Sequence, residues 1–138
     1  MARIADIMTR DVEVIQRDDT IQHAAQRMRA MDIGALPVAD GEALAGMVTD
    51  RDIAVRGVAE GMIPQEALVS DVMTSDIRWC SADDSVEDVL AEMGGQQVRR
   101  LPVLDASRRI VGIVALGDIA TRRPEHTDEA LREISSPD

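Results

Sequence analysis

The sequence predicts an α/β fold of two β-α-β-β-α units packed about a pseudo-twofold axis. The first observation behind this is an internal repeat. DIMTRDVEVIQRDDTIQHAAQRMRAMDIGALPVAD at 6–40 returns as DVMTSDIRWCSADDSVEDVLAEMGGQQVRRLPVLD at 71–105, with Asp6, Met8, Thr9, Asp19, Met28, Leu36, Pro37, Val38 and Asp40 recurring 65 residues on. After one inserted residue Gly46, Val48, Asp52 and Ile53 are answered by Gly112, Val114, Asp118 and Ile119. A unit of about 50 residues buries too little surface to stand alone, so two copies are expected to pack together and form clefts between them. The second observation is that each copy reads strand, helix, strand, strand, helix. The third is an aliphatic composition: the chain has no Phe or Tyr and only Trp79, so Ile, Val, Leu, Ala and Met must fill the core.

Each element has a local cause. Short β-branched runs, VEVI at 12–15 and IRWC at 77–80, predict the opening strands. Asp-Thr at 19–20 and Asp-Ser at 84–85 are helix starts, and capping accounts for the acid pairs Asp18-Asp19 and Asp83-Asp84. The apolar stripes Ile21, Ala24, Ala25, Met28, Met31 and Val86, Val89, Leu90, Met93 then follow helical spacing and predict two core-facing helices. LPVA at 36–39 and LPVL at 101–104 predict strands, with Pro37 and Pro102 expected at their starts, where a missing donor is tolerated. A polar turn leads to second strands at 44–49 and 109–115, and short helices begin at about Asp50 and Leu116. The units are placed at 3–58 and 68–123, with a linker at 59–67 and a C-terminal tail at 124–138.

Composition narrows the function. A net charge of −11 argues against nucleic acid or an anionic membrane as partner. No stretch approaches the roughly 18 apolar residues of a membrane span, and the N-terminus lacks a signal-peptide core, so a cytoplasmic location is expected. The single Cys80 fits a reducing compartment. Every basic residue is Arg and none is Lys, which removes Schiff-base chemistry and the phosphate-loop lysine. Cys80 falls in a predicted strand with no His near it in sequence, and the two His, 23 and 126, are isolated, so no catalytic or metal set is read from spacing.

Two motifs remain. In GMVTDRDI at 46–53, Thr49 and Asp52 have the spacing of a capping box. The same geometry presents a hydroxyl, a carboxylate and free backbone amides, groups that suit a ribose and a phosphate. Arg99-Arg100 precedes the second LPV strand, whereas the equivalent positions in the first copy are Gly34 and Ala35, so the repeat is basic on one side only.

The duplicated unit, the paired LPV strands and the G-h-V-T-x-x-D ending resemble tandem CBS domains, the cystathionine-β-synthase-type pair also called a Bateman module. The likeness runs from about residue 3 to 123 and is strongest, through TDRDI, VRG and VRRLPV, to small stand-alone bacterial CBS-pair proteins. The resemblance implies a non-catalytic sensor that binds adenosine-containing nucleotides such as AMP, ADP or ATP as regulatory ligands, with no required cofactor. By position, Thr49 and Asp52 would hold the sugar and first phosphate, Arg99 and Arg100 the phosphates, and Met47 and Ile77 the base. The twin site, Val12, Gly34, Ala35, Ala115 and Asp118, departs from the pattern. Ala115 replaces the Thr and no Arg is present, and each lost hydrogen bond to a charged phosphate costs roughly 1.5–3 kcal/mol. One competent site per chain, a homodimer and an effector protein as recipient of the signal are expected. The alternatives are a stress-response interaction protein with empty clefts and a metal-binding protein.

Overall fold

The computed structural model describes residues 2–10, 12–96 and 100–115. They form two compact units: one is Glu13–Ile77, and the other joins the residues up to Val12 to those from Arg78 onward. The repeat and the compact unit are thus different cuts of the chain.

In the Glu13–Ile77 unit, β1 (Ile15–Gln16) leads through α1 (Ile21–Met31) to β2 (Ala35–Asp40) and β3 (Ala43–Thr49). The sheet order is β1-β2-β3, with β1 parallel and β3 antiparallel to β2. Thr20 starts α1 by accepting the His23 N–H at 3.1 Å. Asp32 ends it in a left-handed conformation at φ 54°. Ile21, Ala24 and Met28 are buried as their spacing predicts, but Ala25 and Met31 are exposed, because the face toward the sheet is one residue wide at each turn. A single α turn, α2 (Asp50–Asp52), follows β3 and runs on as a π-helical stretch, Ile53–Val58.

The second unit repeats the order with β4 (Cys80–Ser81), α3 (Val86–Gln96), β5 (Arg100–Leu104) and β6 (Ile110–Ala115), in sheet order β4-β5-β6. Ser85 caps α3 by accepting the Asp88 N–H at 3.1 Å. Val86, Val89, Leu90 and Met93 are all buried. The helix expected at Leu116 and the C-terminal tail lie outside the described residues.

Two expectations are corrected. The opening strands are only two residues long, and Pro37 and Pro102 stand inside the central strands of their sheets rather than at their starts. The two corrections have one cause. Arg17 N–H donates to Ala39 C=O at 2.9 Å, so the odd-numbered residues of β2 turn their backbone toward β1. Pro37 is therefore the residue whose N–H would extend the parallel ladder toward position 13, and it has none to give. Ala82 N–H donates to Leu104 C=O at 3.0 Å, which puts Pro102 in the same situation against β4. Trp79 consequently precedes the strand and is exposed, with the Arg108 guanidinium 5.5 Å from its ring centre.

Each sheet is completed by a Met-Thr segment from the other sequence copy. Val69 and Val72, which open the second copy, are fully buried among Ile15, Ile21, Leu36, Val38 and Val48. Ile4, Ile7 and Met8, from the first copy, are buried among Val86, Val89, Met93 and Leu101. The junctions are backbone to backbone. Met47 and Thr74 exchange two N–H···O=C bonds, both 2.9 Å, and Thr9 and Ile113 exchange bonds of 2.8 and 3.0 Å. Close approach is possible because the neighbouring strand residue is glycine in both units. A β-carbon at Gly46 would lie 2.4 Å from Thr74 O, and one at Gly112 would lie 2.7 Å from Thr9 O. Gly46→Ala and Gly112→Ala are each expected to lower stability by about 1–3 kcal/mol through this overlap. Urea unfolding measures it, and an unchanged midpoint would show that the crossing segment can retreat at no cost.

Candidate functional site

The Thr49–Asp52 turn joins β3 to α2, and its capping box is formed. Asp52 N–H donates to Thr49 Oγ1 at 3.0 Å, and Thr49 N–H donates to Asp52 Oδ2 at 3.0 Å. Asp50 N–H donates to Gly34 C=O at 2.9 Å, and Arg51 N–H to Asp50 Oδ1 at 2.8 Å. The expectation of free backbone amides is therefore wrong: all four consecutive N–H groups are already taken. Short polar side chains at a helix start satisfy the orphan donors themselves. What the turn offers a ligand is side chains, namely the Thr49 hydroxyl proton, which the cap does not use, and Asp52 Oδ1.

The Asp52 side chain is only 15% exposed. Its Oδ1 faces Arg56 Nε at 3.9 Å, one helical step of four residues on. Arg56 Nη1 also donates at 3.4 Å to the carbonyls of both Val72 and Met73. Sequence reasoning passed over Arg56, although the Asp52–Arg56 spacing of i to i+4 is the available signal.

Of the sequence-predicted residues, Met47, Thr49, Asp52 and Ile77 belong to the Glu13–Ile77 unit, and all four are half-buried. Met47 spends both backbone groups on Thr74, and Ile77 follows three residues later on the same crossing segment. Arg100 is in the other unit, exposed, as the first residue of β5 opposite Ala115. Arg99 lies outside the described residues. In the twin set, Val12 and Ala115 are half-buried, Ala35 is buried opposite Thr49, and Asp118 lies outside the described residues. Gly34 is more than a missing Arg: a β-carbon there would lie 3.0 Å from Asp50 Oδ2, so a carboxylate stands against the position that is Arg99 in the other copy.

Cys80 is buried, its Sγ 3.8 Å from Pro102 O. Burial, reinforced by the negative charges of Asp84 and Glu92, pushes its thiol up to about 12. A thiol so disfavoured as thiolate is a poor nucleophile at neutral pH. His23 Nδ1 lies 2.6 Å from Asp19 Oδ2. Among the described residues no three His, Cys, Asp or Glu side chains gather to hold a metal ion, and no helix is long and apolar enough to cross a membrane. His126 lies outside the described residues.

Residues 4–57 and 69–125 each match the family model of the CBS domain. The chain belongs to the CBS-domain family. It is 40% identical to Hypoxic response protein 1 of Mycobacterium tuberculosis over 99% of this chain and 96% of that protein. The crystal structure of Hypoxic Response Protein I with two coordinated zinc ions superposes with a TM-score of 0.78, covering 88% of this chain and 99% of that one. The CBS domain pair of protein MJ0100, solved with 5′-methylthioadenosine and S-adenosyl-L-methionine, is 26% identical with a TM-score of 0.77, over 91% of this chain and 98% of that one.

The Cys80 environment makes a further expectation. A raised thiol pKa means that the folded state holds its proton more tightly than the unfolded state does. Its contribution to stability is therefore complete below pH 9.0 and is lost as pH rises toward about 12. Native protein at pH 8 should not consume a thiol reagent, and unfolding in urea should release one reactive thiol per chain. Rapid labelling of the native protein would place Cys80 at the surface.

Proposed function

We propose that the chain is a non-catalytic regulatory module that binds an adenosine-containing ligand at the Thr49–Asp52 turn and passes its occupancy to another protein. The observation that carries this reading is the state of Asp52. The capping box fixes a mostly buried carboxylate through Oδ2 and leaves Oδ1 for a partner. Vicinal ribose hydroxyls need such an oriented acceptor, and holding it in place before binding reduces the ordering cost. The Thr49 hydroxyl is a donor for ribose oxygen or phosphate, and Met47 and Ile77 provide apolar surface for the base. Support for the ligand class comes from MJ0100, a relative of the same fold solved with two adenosine derivatives.

Phosphate binding in this reading falls to Arg99 and Arg100, whose part rests on the family resemblance and on the contrast with Gly34 and Ala35 in the first copy. The backbone amides of the turn cannot substitute, since they are already bonded within the protein. The twin set has a carboxylate in place of a cation, so one phosphorylated nucleotide per chain is the stoichiometry we infer. The module is cytoplasmic and acts as a homodimer, the commonest closed assembly of soluble chains. A metal-binding reading draws on the zinc ions of the mycobacterial relative, and Zn²⁺ belongs beside the nucleotides in any ligand panel.

Calorimetry with AMP, ADP, ATP, S-adenosylmethionine and Zn²⁺ tests the reading. Wild type should bind one nucleotide per chain, and Asp52→Ala should lose roughly 10- to 100-fold or more in affinity, as expected for a charged hydrogen bond. The substitution should cost about 1 kcal/mol in stability for the lost cap. Equal binding by wild type and Asp52→Ala would remove the turn from the site.

Arg100→Ala should weaken ATP binding more than Asp118→Ala does, and rising salt should weaken binding further. The reverse order would mean that the basic side of the repeat is not the phosphate side. Two equivalent nucleotides per chain would rule out the proposed inequality of the sites.

A further inference from the structure

Arg56 has a place that the capping box and the nucleotide reading leave unexplained. It sits in the π-helical stretch Ile53–Val58, whose wide turns require a local reason to persist in place of α-helix. Arg56 stands four residues beyond Asp52, with its Nε 3.9 Å from Asp52 Oδ1. The next residue, Gly57, is buried, and a β-carbon there would lie 3.0 Å from Ile21 Cδ1 and 3.6 Å from Val72 Cγ1. The stretch is thereby pressed onto the core beside Val72. From this seat one guanidinium faces three acceptors: Asp52 Oδ1 at 3.9 Å from Nε, and the Val72 and Met73 carbonyls, each 3.4 Å from Nη1. Those carbonyls immediately precede Thr74, whose two bonds to Met47 hold the crossing segment on β3.

We propose that Arg56 is a positioning residue that ties the Asp52 carboxylate to the backbone of Val72 and Met73, so that occupancy of Asp52 changes the hold on the crossing segment. The ligand half of this rests on the reading of Asp52 as ribose acceptor; the tie itself does not. A hydroxyl that hydrogen-bonds Oδ1 competes with Nε for the same oxygen. The guanidinium then shifts its weight toward the two carbonyls, tightening the segment, since its planar fork keeps both contacts in one geometry. A lysine has one point of charge and cannot face the carboxylate and both carbonyls together. The segment continues through Ile77 into Arg78, where the Glu13–Ile77 unit ends.

The test is backbone amide exchange on the full chain, followed by NMR with and without AMP. In ligand-free Arg56→Ala, the Thr74 and Met47 amides should exchange at least about tenfold faster than in wild type, since their opening is local. Arg56→Lys should fall between the two. The matching Thr9 and Ile113 amides in the other unit are the internal control and should keep their wild-type rates. Thr74 and Met47 rates within twofold of wild type would overturn the tie, and so would equal acceleration at Thr9 and Ile113, which would mark general destabilisation. AMP should slow exchange at Thr74 in wild type and should no longer do so in Arg56→Ala. Full persistence of the AMP effect in that variant would overturn the coupling. If AMP left wild type unchanged, the nucleotide reading would fail and with it the coupling, while the ligand-free rates would still decide the tie.

Discussion

The structure depends on the approach of one backbone to another over a glycine. Where Thr74 crosses β3 beside Gly46, and Thr9 crosses β6 beside Gly112, each strand gains two backbone hydrogen bonds to the crossing segment. An unpaired N–H or C=O at such a depth would cost on the order of 1–3 kcal/mol, so the glycine and the crossing residue specify each other. The consequence reaches into the core. Val69 and Val72 can fill the space beside Ile21 and Leu36 only if Thr74 is anchored, and Ile4 and Met8 depend on Thr9 in the same way. The turn Val69–Asp71 is held at its other end too, since Val69 N–H donates to Asp19 C=O and Ile21 N–H to Ala67 C=O. Neither sequence copy contains everything its own sheet needs. The repeat is therefore a unit of sequence, and the compact body is a unit made from both copies.

The candidate site inherits its geometry from that junction. β3 carries Met47, which holds the crossing segment, and two residues later Thr49, which closes the capping box. Arg56 stands between the box and the segment. The strand, the cap and the crossing chain thus share one short stretch of backbone, and nothing in it can be displaced without disturbing a hydrogen bond of another part. Asp52 Oδ1 faces the Arg56 guanidinium, so a group that takes this oxygen exchanges partners with Arg56, and exchange of partners is how binding at one place alters contacts at another.

Much of this was legible in the sequence. The LPV strands, the stripe of α3, the Ile21, Ala24 and Met28 part of the α1 stripe and the Thr49–Asp52 box follow from periodicity and spacing alone, because local rules decide them. The short opening strands were not read correctly, for the reason that Pro37 and Pro102 act across the sheet: a proline in one strand limits the length of its neighbour. The exchange of Met-Thr segments was hidden for a different reason. A repeat read along the chain looks self-contained, and only the burial of Val69 with Ile15 and of Ile4 with Val89 shows where each segment packs. Arg56 escaped notice because its acceptors at Val72 and Met73 are backbone atoms far along the chain, which no motif of side chains records.

The charge difference between the copies is better understood with the fold in hand. In sequence it looked like the gain of Arg99 and Arg100 on one side, where the first copy has Gly34 and Ala35. The Gly34–Asp50 contact adds a second position to that difference. Glycine at 34 makes room for the Asp50 carboxylate, whose residue also donates its N–H to Gly34 C=O. By repeat register the second copy has Arg99 in place of the glycine and Leu116 in place of the aspartate. The first copy has a carboxylate against position 34, and by sequence register the second copy has neither that glycine nor that carboxylate. An arginine introduced at 34 would meet Asp50 within contact distance and be neutralised by it, so the inequality of the two sides lies in a pair of residues rather than in one.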